Sequence, residues 1–225
     1  IVIAFICYLS IPNRPLPPVT NEQGTWTKIK AGLKFVFSHQ IILSAISLDL
    51  FAVLFGGAVA LLPFFADEIL HTGKTGLGFL RSAPAIGAVL IAISITRHPI
   101  KKRIGKILLW CVAGFGISMI AFSLSKLFWL SMGLLIMSGM FDCVSVIVRS
   151  TLIHTLTPEN MKGRVAAVNS MFIGSSNEIG MLESGIAAKL LGVVNSVIFG
   201  GLMTLGVVGV TAWKAPSLRN LEKVK

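Results

Sequence analysis

Apolar residues dominate this chain in long runs, and short connections rich in Lys and Arg separate them. Six runs reach spanning length, since about 20 apolar residues cross the hydrocarbon core of a bilayer. They cover approximately Ile41–Phe65, Gly76–Ile95, Ile107–Leu124, Phe128–Val148, Val165–Leu191 and Val193–Trp213. The fifth run is the least apolar. Its "VNSMFIGSSNEIGMLESGIAAKLLG" mixes Gly, Ser and Asn into the hydrophobic pattern. The connections are too short for parallel neighbours, so successive helices run antiparallel. The pattern predicts an all-α membrane protein with a six-helix bundle over residues 41–213 and a tail over 214–225.

Ahead of that bundle the pattern changes twice. Residues 1–11 open as "IVIAFICYLSI", with no Met and no charged region before the apolar stretch. They read as the end of a transmembrane helix that begins outside this sequence, not as a signal peptide. "PNRPLPP" (12–18) ends that helix and favours an extended linker. In "TWTKIKAGLKFVFSHQ", Trp26, Ile29, Leu33, Val36 and Phe37 fall near one helical face, with Lys28, Lys30 and Lys34 mostly elsewhere. Residues 12–40 are thus a loop carrying an amphipathic helix, expected to lie on the membrane surface.

Charge then orients the bundle. The chain carries 13% charged residues, against about 25% in soluble domains. Its net charge of +11 would suit nucleic acid only if the basic residues shared a soluble face with groove-reading elements. They lie between apolar runs instead, so no nucleic-acid partner is expected. Alternate connections differ sharply: sixteen Lys and Arg, Arg149 among them, fall on one side of the membrane and four (Lys74, Arg81, Lys126, Lys189) on the other. The richer side is expected to be cytoplasmic, together with the C-terminus.

The acids inside the runs carry the candidate chemistry. A charged residue at mid-bilayer costs about 2.5–3.5 kcal/mol on the insertion scale, so such residues face a bundle interior, a partner or a water-filled cavity. Asp49 lies in the first run, Asp142 in the fourth, and Glu178 and Glu183 in the fifth, beside Asn177. At 1.5 Å per residue, Asp49 is about 12 Å in from Ile41 and Asp142 about 9 Å in from Val148, both toward the basic side. No basic residue lies a turn from Asp49 on its own helix, so its partner must be water, substrate or another helix. Its role is open between a structural hydrogen bond, a gate and proton coupling. Arg149, seven positions after Asp142, is expected to reach the cytoplasmic interface. The third and sixth runs contain no ionisable side chain and are expected to be peripheral.

Other signals carry no chemistry. "GKTG" (73–76) lacks the glycine a phosphate-binding loop needs five positions earlier, where Glu68 stands. "IGSSNEIG" has no histidine at its depth to serve a serine nucleophile. Cys7, Cys111 and Cys143 and the four histidines show no metal-ligand spacing, so neither a metal nor a cofactor is expected, and no enzyme.

Four stretches carry a family resemblance: "ISLDLFAVLFGGAVALLPFFADEIL", "GLGFLRSAPAIGAVL", "LLWCVAGFGISMIAFSLS" and "LTPENMKGRVAAVNSMFIGSSNEIGMLESGIAAKLLG". They resemble the C-terminal half of major facilitator superfamily transporters, in the branch of bacterial efflux proteins that includes the enterobactin exporter. The resemblance implies the six-helix C-terminal half of a twelve-helix transporter, preceded by the end of helix six. It implies a multi-pass protein of the bacterial inner membrane whose partners are the bilayer, a small-molecule substrate and an N-terminal half absent from this sequence. It also singles out two cytoplasmic loops. In "HPIKKRIGK", Arg103 and Gly105 match a family loop, though the aspartate usual there is missing. In "PENMKGR", Gly163 and Arg164 match another. The function implied is proton-driven export of a siderophore or drug-like compound. A non-transporting scaffold, or a permease subunit served by a partner ATPase, is the competing class.

Overall fold

The computed structural model describes residues 25–56, 58–98, 100 and 102–221. The segment 1–11, the proline-rich part of the loop and residues 222–225 of the tail lie outside the described residues. Within them the order is α1 (Thr25–Ser38), α2 (Gln40–Phe55), α3 (Gly73–Arg97), α4 (Ile104–Leu124), α5 (Phe128–Leu156), α6 (Lys162–Leu191), α7 (Val193–Lys214) and a short α8 (Pro216–Arg219). No strand occurs among the described residues. Five segments are long and apolar enough to cross a membrane: Gln40–Ile69, which contains α2, and then α3, α4, α5 and α7. Helix α6 matches them in length with 30 residues, but its polar centre keeps it out of that set. All six predicted runs are therefore helical, and the weakly apolar one is the exception expected from its composition.

The first run is not one continuous helix. Helix α2 stops at Phe55, and the chain continues through a 3-10 turn (Ala58–Leu61), a short α segment (Leu62–Phe64) and a π turn (Phe65–Ile69). Pro63 has no N–H to give a helix and its ring crowds the preceding turn. Gly56 caps α2 by donating to Ala52 O at 2.8 Å, and Phe115 of α4 stands where a Cβ at Gly56 would project. The continuation still packs: Phe65 is fully buried, with its ring centroid 4.7 Å from that of Phe122 on α4.

Small residues set the helix crossings. Helices α3 and α5 share the most extensive contact, with Gly87 against the backbone of Ile136 and Gly139 against the backbone of Pro84. Helices α4 and α7 approach through Gly116 and Gly201. Close backbone approach of this kind is the usual source of helix association in lipid, where burying apolar area gains little. Helix α4 is expected at the periphery because its apolar run, Ile107–Leu124, holds no ionisable side chain. It packs instead between α5 and α7, burying Leu108, Val112, Met119 and Phe122, and exposes only an outer stripe that includes Trp110, Ile117 and Leu124. Lack of charge allows a lipid-facing surface without imposing one all round.

Helix α1 also differs from expectation. Val36 is fully buried in a cluster with Ile42 and Ile46 of α2 and Val165 and Val168 of α6, and Leu33 packs against that cluster. Gly32 lies over the Arg164 carbonyl. The amphipathic stripe therefore docks on the bundle, while Trp26 and Phe37 stay exposed.

Candidate functional site

The site grows from one stripe of α5. Ser138, Asp142, Ser145 and Arg149 follow one another at four, three and four positions, which keeps them on one side of a 3.6-residue helix. That side looks toward α2. At its basic end Arg149 Nη1 meets Asp49 Oδ2 of α2 at 2.5 Å, with both side chains almost completely buried. The expectation that Arg149 reaches the cytoplasmic interface is corrected here. Helix α5 continues to Leu156, so Arg149 sits inside the span, and its charge is met at Asp49 instead of in water. Asp49's partner is indeed on another helix.

The pair is only partly satisfied. Arg149 Nε and Ser145 Oγ are buried without a hydrogen-bond partner among the described residues. A buried guanidinium normally uses its fork of donors fully, because each unpaired one carries a desolvation cost. Next to the pair lies a small void of about 20 Å³ lined by Asp49, Asp142 and Ser145 with Ala52, Val53, Val112, Phe115 and Phe141. Asp142 therefore belongs to the same polar cluster, although the residue as a whole is exposed.

Beyond Asp142 the stripe opens into a chamber of about 350 Å³. Five helices or their extensions contribute, through residues such as Val53, Pro84, Phe115, Ser138, Asp142 and Asn177. A few polar groups in a mostly apolar hollow of 300 Å³ or more fit a small-molecule site. The three polar side chains in its wall are Ser138, Asp142 and Asn177.

The other sequence candidates fall elsewhere. Glu178, one position round α6 from Asn177, is exposed and does not line the chamber. Glu183 is half-buried near the far end of α6, where Ser196 Oγ of α7 donates to Ser184 O at 3.4 Å. Arg103 holds the left-handed backbone conformation that starts α4, with φ 55°. Gly105 is buried where α4 meets α8: its N–H donates to Leu221 O at 3.3 Å, and a Cβ would strike Leu218 O. Gly163 is exposed, and Arg164 lies alongside Met161, Nη1 to Sδ 3.6 Å. Arg103 caps α4, Gly105 lies in its first turn, and Gly163 and Arg164 lie in the first turn of α6; the four do not converge on the chamber. No cluster of metal-ligating side chains occurs among the described residues.

The residue missed by sequence reasoning is Arg149 as Asp49's partner. Its signal was present: an arginine two helical turns from Asp142, on the same helix face and one residue past the same apolar run, could have been paired across to the other acid at similar depth.

Comparison with known proteins agrees with this architecture. The family model described as Major Facilitator Superfamily matches residues 1–181. The chain is 26% identical over 208 residues to proteins named enterobactin exporter EntS from Escherichia coli O1:K1 / APEC, from Escherichia coli O139:H28 (strain E24377A / ETEC) and from Shigella boydii serotype 18. The alignment covers 92% of this chain and 50% of each relative, so the chain spans about half the length of the curated relatives it matches. No solved structure matches the chain.

Proposed function

The chain belongs to the Major Facilitator Superfamily, and from that premise we propose that it forms the C-terminal half of an inner-membrane exporter driven by a proton gradient. Asp49, Asp142 and Arg149 form its coupling cluster, and the chamber beside them is its half of the substrate site. In a two-halved transporter the site lies near the midplane between the repeats, and polar residues there face the cavity. The observation that carries the reading is the buried Asp49–Arg149 pair abutting a chamber whose wall includes Asp142.

The mechanism follows from charge. With Asp49 ionised, Arg149 has a partner and α2 is held against α5. A proton arriving on Asp49 removes that partner, and Arg149 then faces Asp142, on its own stripe. Helices α2 and α5 meet less extensively than α3 and α5 do, so the pair is a large part of what joins them. Breaking it loosens that contact and couples a proton to a change in the chamber's shape. A substrate of siderophore or drug-like size suits the partly polar hollow, and the name carried by the relatives points the same way.

The test uses everted vesicles containing the complete transporter, energised by respiration and supplied with a labelled siderophore. Uptake that collapses on adding a protonophore supports the reading. Asp49→Asn, which keeps size and hydrogen bonding, is expected to insert and bind substrate but to lose gradient-driven accumulation. Transport that ignores the protonophore, and that proceeds unchanged in Asp49→Asn, overturns it.

A further inference from the structure

A second and larger hollow lies on the other side of α2. Its volume is about 650 Å³, and among the described residues it is lined by α2 and α7, with Ala215 just after α7. Phe51 belongs to this wall while Val53, two positions on, belongs to the chamber, so the two hollows occupy opposite faces of α2. The groove therefore turns away from the substrate side of the bundle.

Its chemistry is graded along the membrane normal. At one end stand Lys214, Thr211, Ser44 and Ser47; deeper in stand Phe51, Phe55, Met203 and Val207. Ser217 Oγ donates to Gln40 Oε1 at 3.1 Å, which places the first turn of α2 and the end of α7 at one level. From Lys214 to Met203 is eleven residues, about 16 Å, close to one leaflet of a hydrocarbon core about 30 Å thick. Exposed Trp213 marks the level of the headgroups beside Lys214. A cation at the headgroup level, hydroxyls at ester depth and an apolar trough one leaflet long match one kind of molecule.

We propose that this groove binds an anionic phospholipid of the adjoining leaflet, its phosphate held by Lys214 and one acyl chain laid between α2 and α7. The charge selects the headgroup, and the trough holds the chain. This inference does not depend on the transport reading, because it uses none of the chamber residues.

The test places p-benzoylphenylalanine at Val210, in the groove wall, and irradiates the protein in nanodiscs of mixed phosphatidylglycerol and phosphatidylcholine. Mass spectrometry then counts the lipid adducts. Phosphatidylglycerol is expected to exceed its share of the bilayer by about fivefold, the effect of one basic residue near an anionic headgroup. Lys214→Gln returns the adducts to the bulk ratio, and Lys214→Arg keeps the enrichment. Gly206→Trp fills the trough, since no atom lies within 4 Å of a Cβ at that position, and should remove both adducts. Adducts in the bulk ratio with Lys214 intact overturn the proposal. So does a cross-link to polypeptide in place of lipid, or lipid adducts that persist in Gly206→Trp.

Discussion

Arg149 of α5 reaches across the bundle to Asp49 of α2 and meets it at 2.5 Å, within a span where neither side chain touches solvent to any extent. Removing one partner of a buried pair costs about 3–5 kcal/mol, while replacing both is often close to neutral. Arg149→Met alone should therefore lower thermal stability sharply. The double variant Arg149→Met with Asp49→Leu should recover most of that loss. Heating the detergent-solubilised protein and following the folded fraction by gel filtration reads both. Additive losses, with no recovery in the double variant, would show that the two side chains are not energetically coupled.

Asp142 behaves differently, because it is exposed and no ion pair holds it among the described residues. Asp142→Asn is expected to leave expression and thermal stability unchanged. Export should change with it, in substrate affinity or in pH dependence, since the side chain lines both the chamber and the void beside Asp49. A transport assay across pH separates these. Stability lost to the same extent as in Arg149→Met would place Asp142 in the structural pair instead.

The contact of α3 with α5 depends on two glycines. A Cβ at Gly139 would strike the backbone of Pro84, and one at Gly87 the backbone of Ile136. Gly139→Val should destabilise the bundle by about 1–3 kcal/mol, the usual cost of overpacking. Gly174→Ala is the control. It lies within α6, and nothing stands within 4 Å of its Cβ position, so Ala there should be neutral or add about 0.5–1 kcal/mol from helix propensity. Comparing the two unfolding temperatures checks the pair of expectations.

The extent to which the sequence revealed the structure varies with the physics involved. Span positions followed from hydrophobic run length, which responds directly to the bilayer: five of the six runs are each one helix, and the first is helical up to Phe55. The break after Phe55 was signalled by Gly56 and Pro63 but was submerged in an unbroken apolar run. Helix α1 was read as a membrane-surface helix because amphipathicity shows which face is apolar and not what covers it; α6 and α2 cover it. The site was legible as separate acids, and the depths of Asp49 and Asp142 placed them at one level. Which residue meets which depends on helix rotation and tilt, and no local pattern encodes these. The sequence therefore points Arg149 to the interface, and it leaves Asn177 and Glu178 equal candidates, of which only Asn177 lines the chamber.

Reassigning Arg149 also sharpens the topology. Taking it out of the connections leaves fifteen basic residues on one side against four on the other. The bias that orients a membrane protein is counted in short loops near span ends, so it survives the loss of one buried arginine. The prediction is that the connections holding Lys102 and Lys162 are cytoplasmic and those holding Lys74 and Lys126 are outside. Single cysteines can report this in a background lacking Cys7, Cys111 and Cys143. Thr72 is a poor position, because its side chain is wedged against Gly76 and donates to Ala66 O at 3.3 Å. Lys74, Lys102 and Lys126 are exposed and suit the reagent better. In intact cells an impermeant maleimide should label cysteines at positions 74 and 126 but not at 102, and permeabilising the membrane should make 102 react. Labelling at 102 in intact cells, with 74 silent, would invert the orientation. It would also put the Asp49–Arg149 pair and the Lys214 groove in the outer half of the membrane.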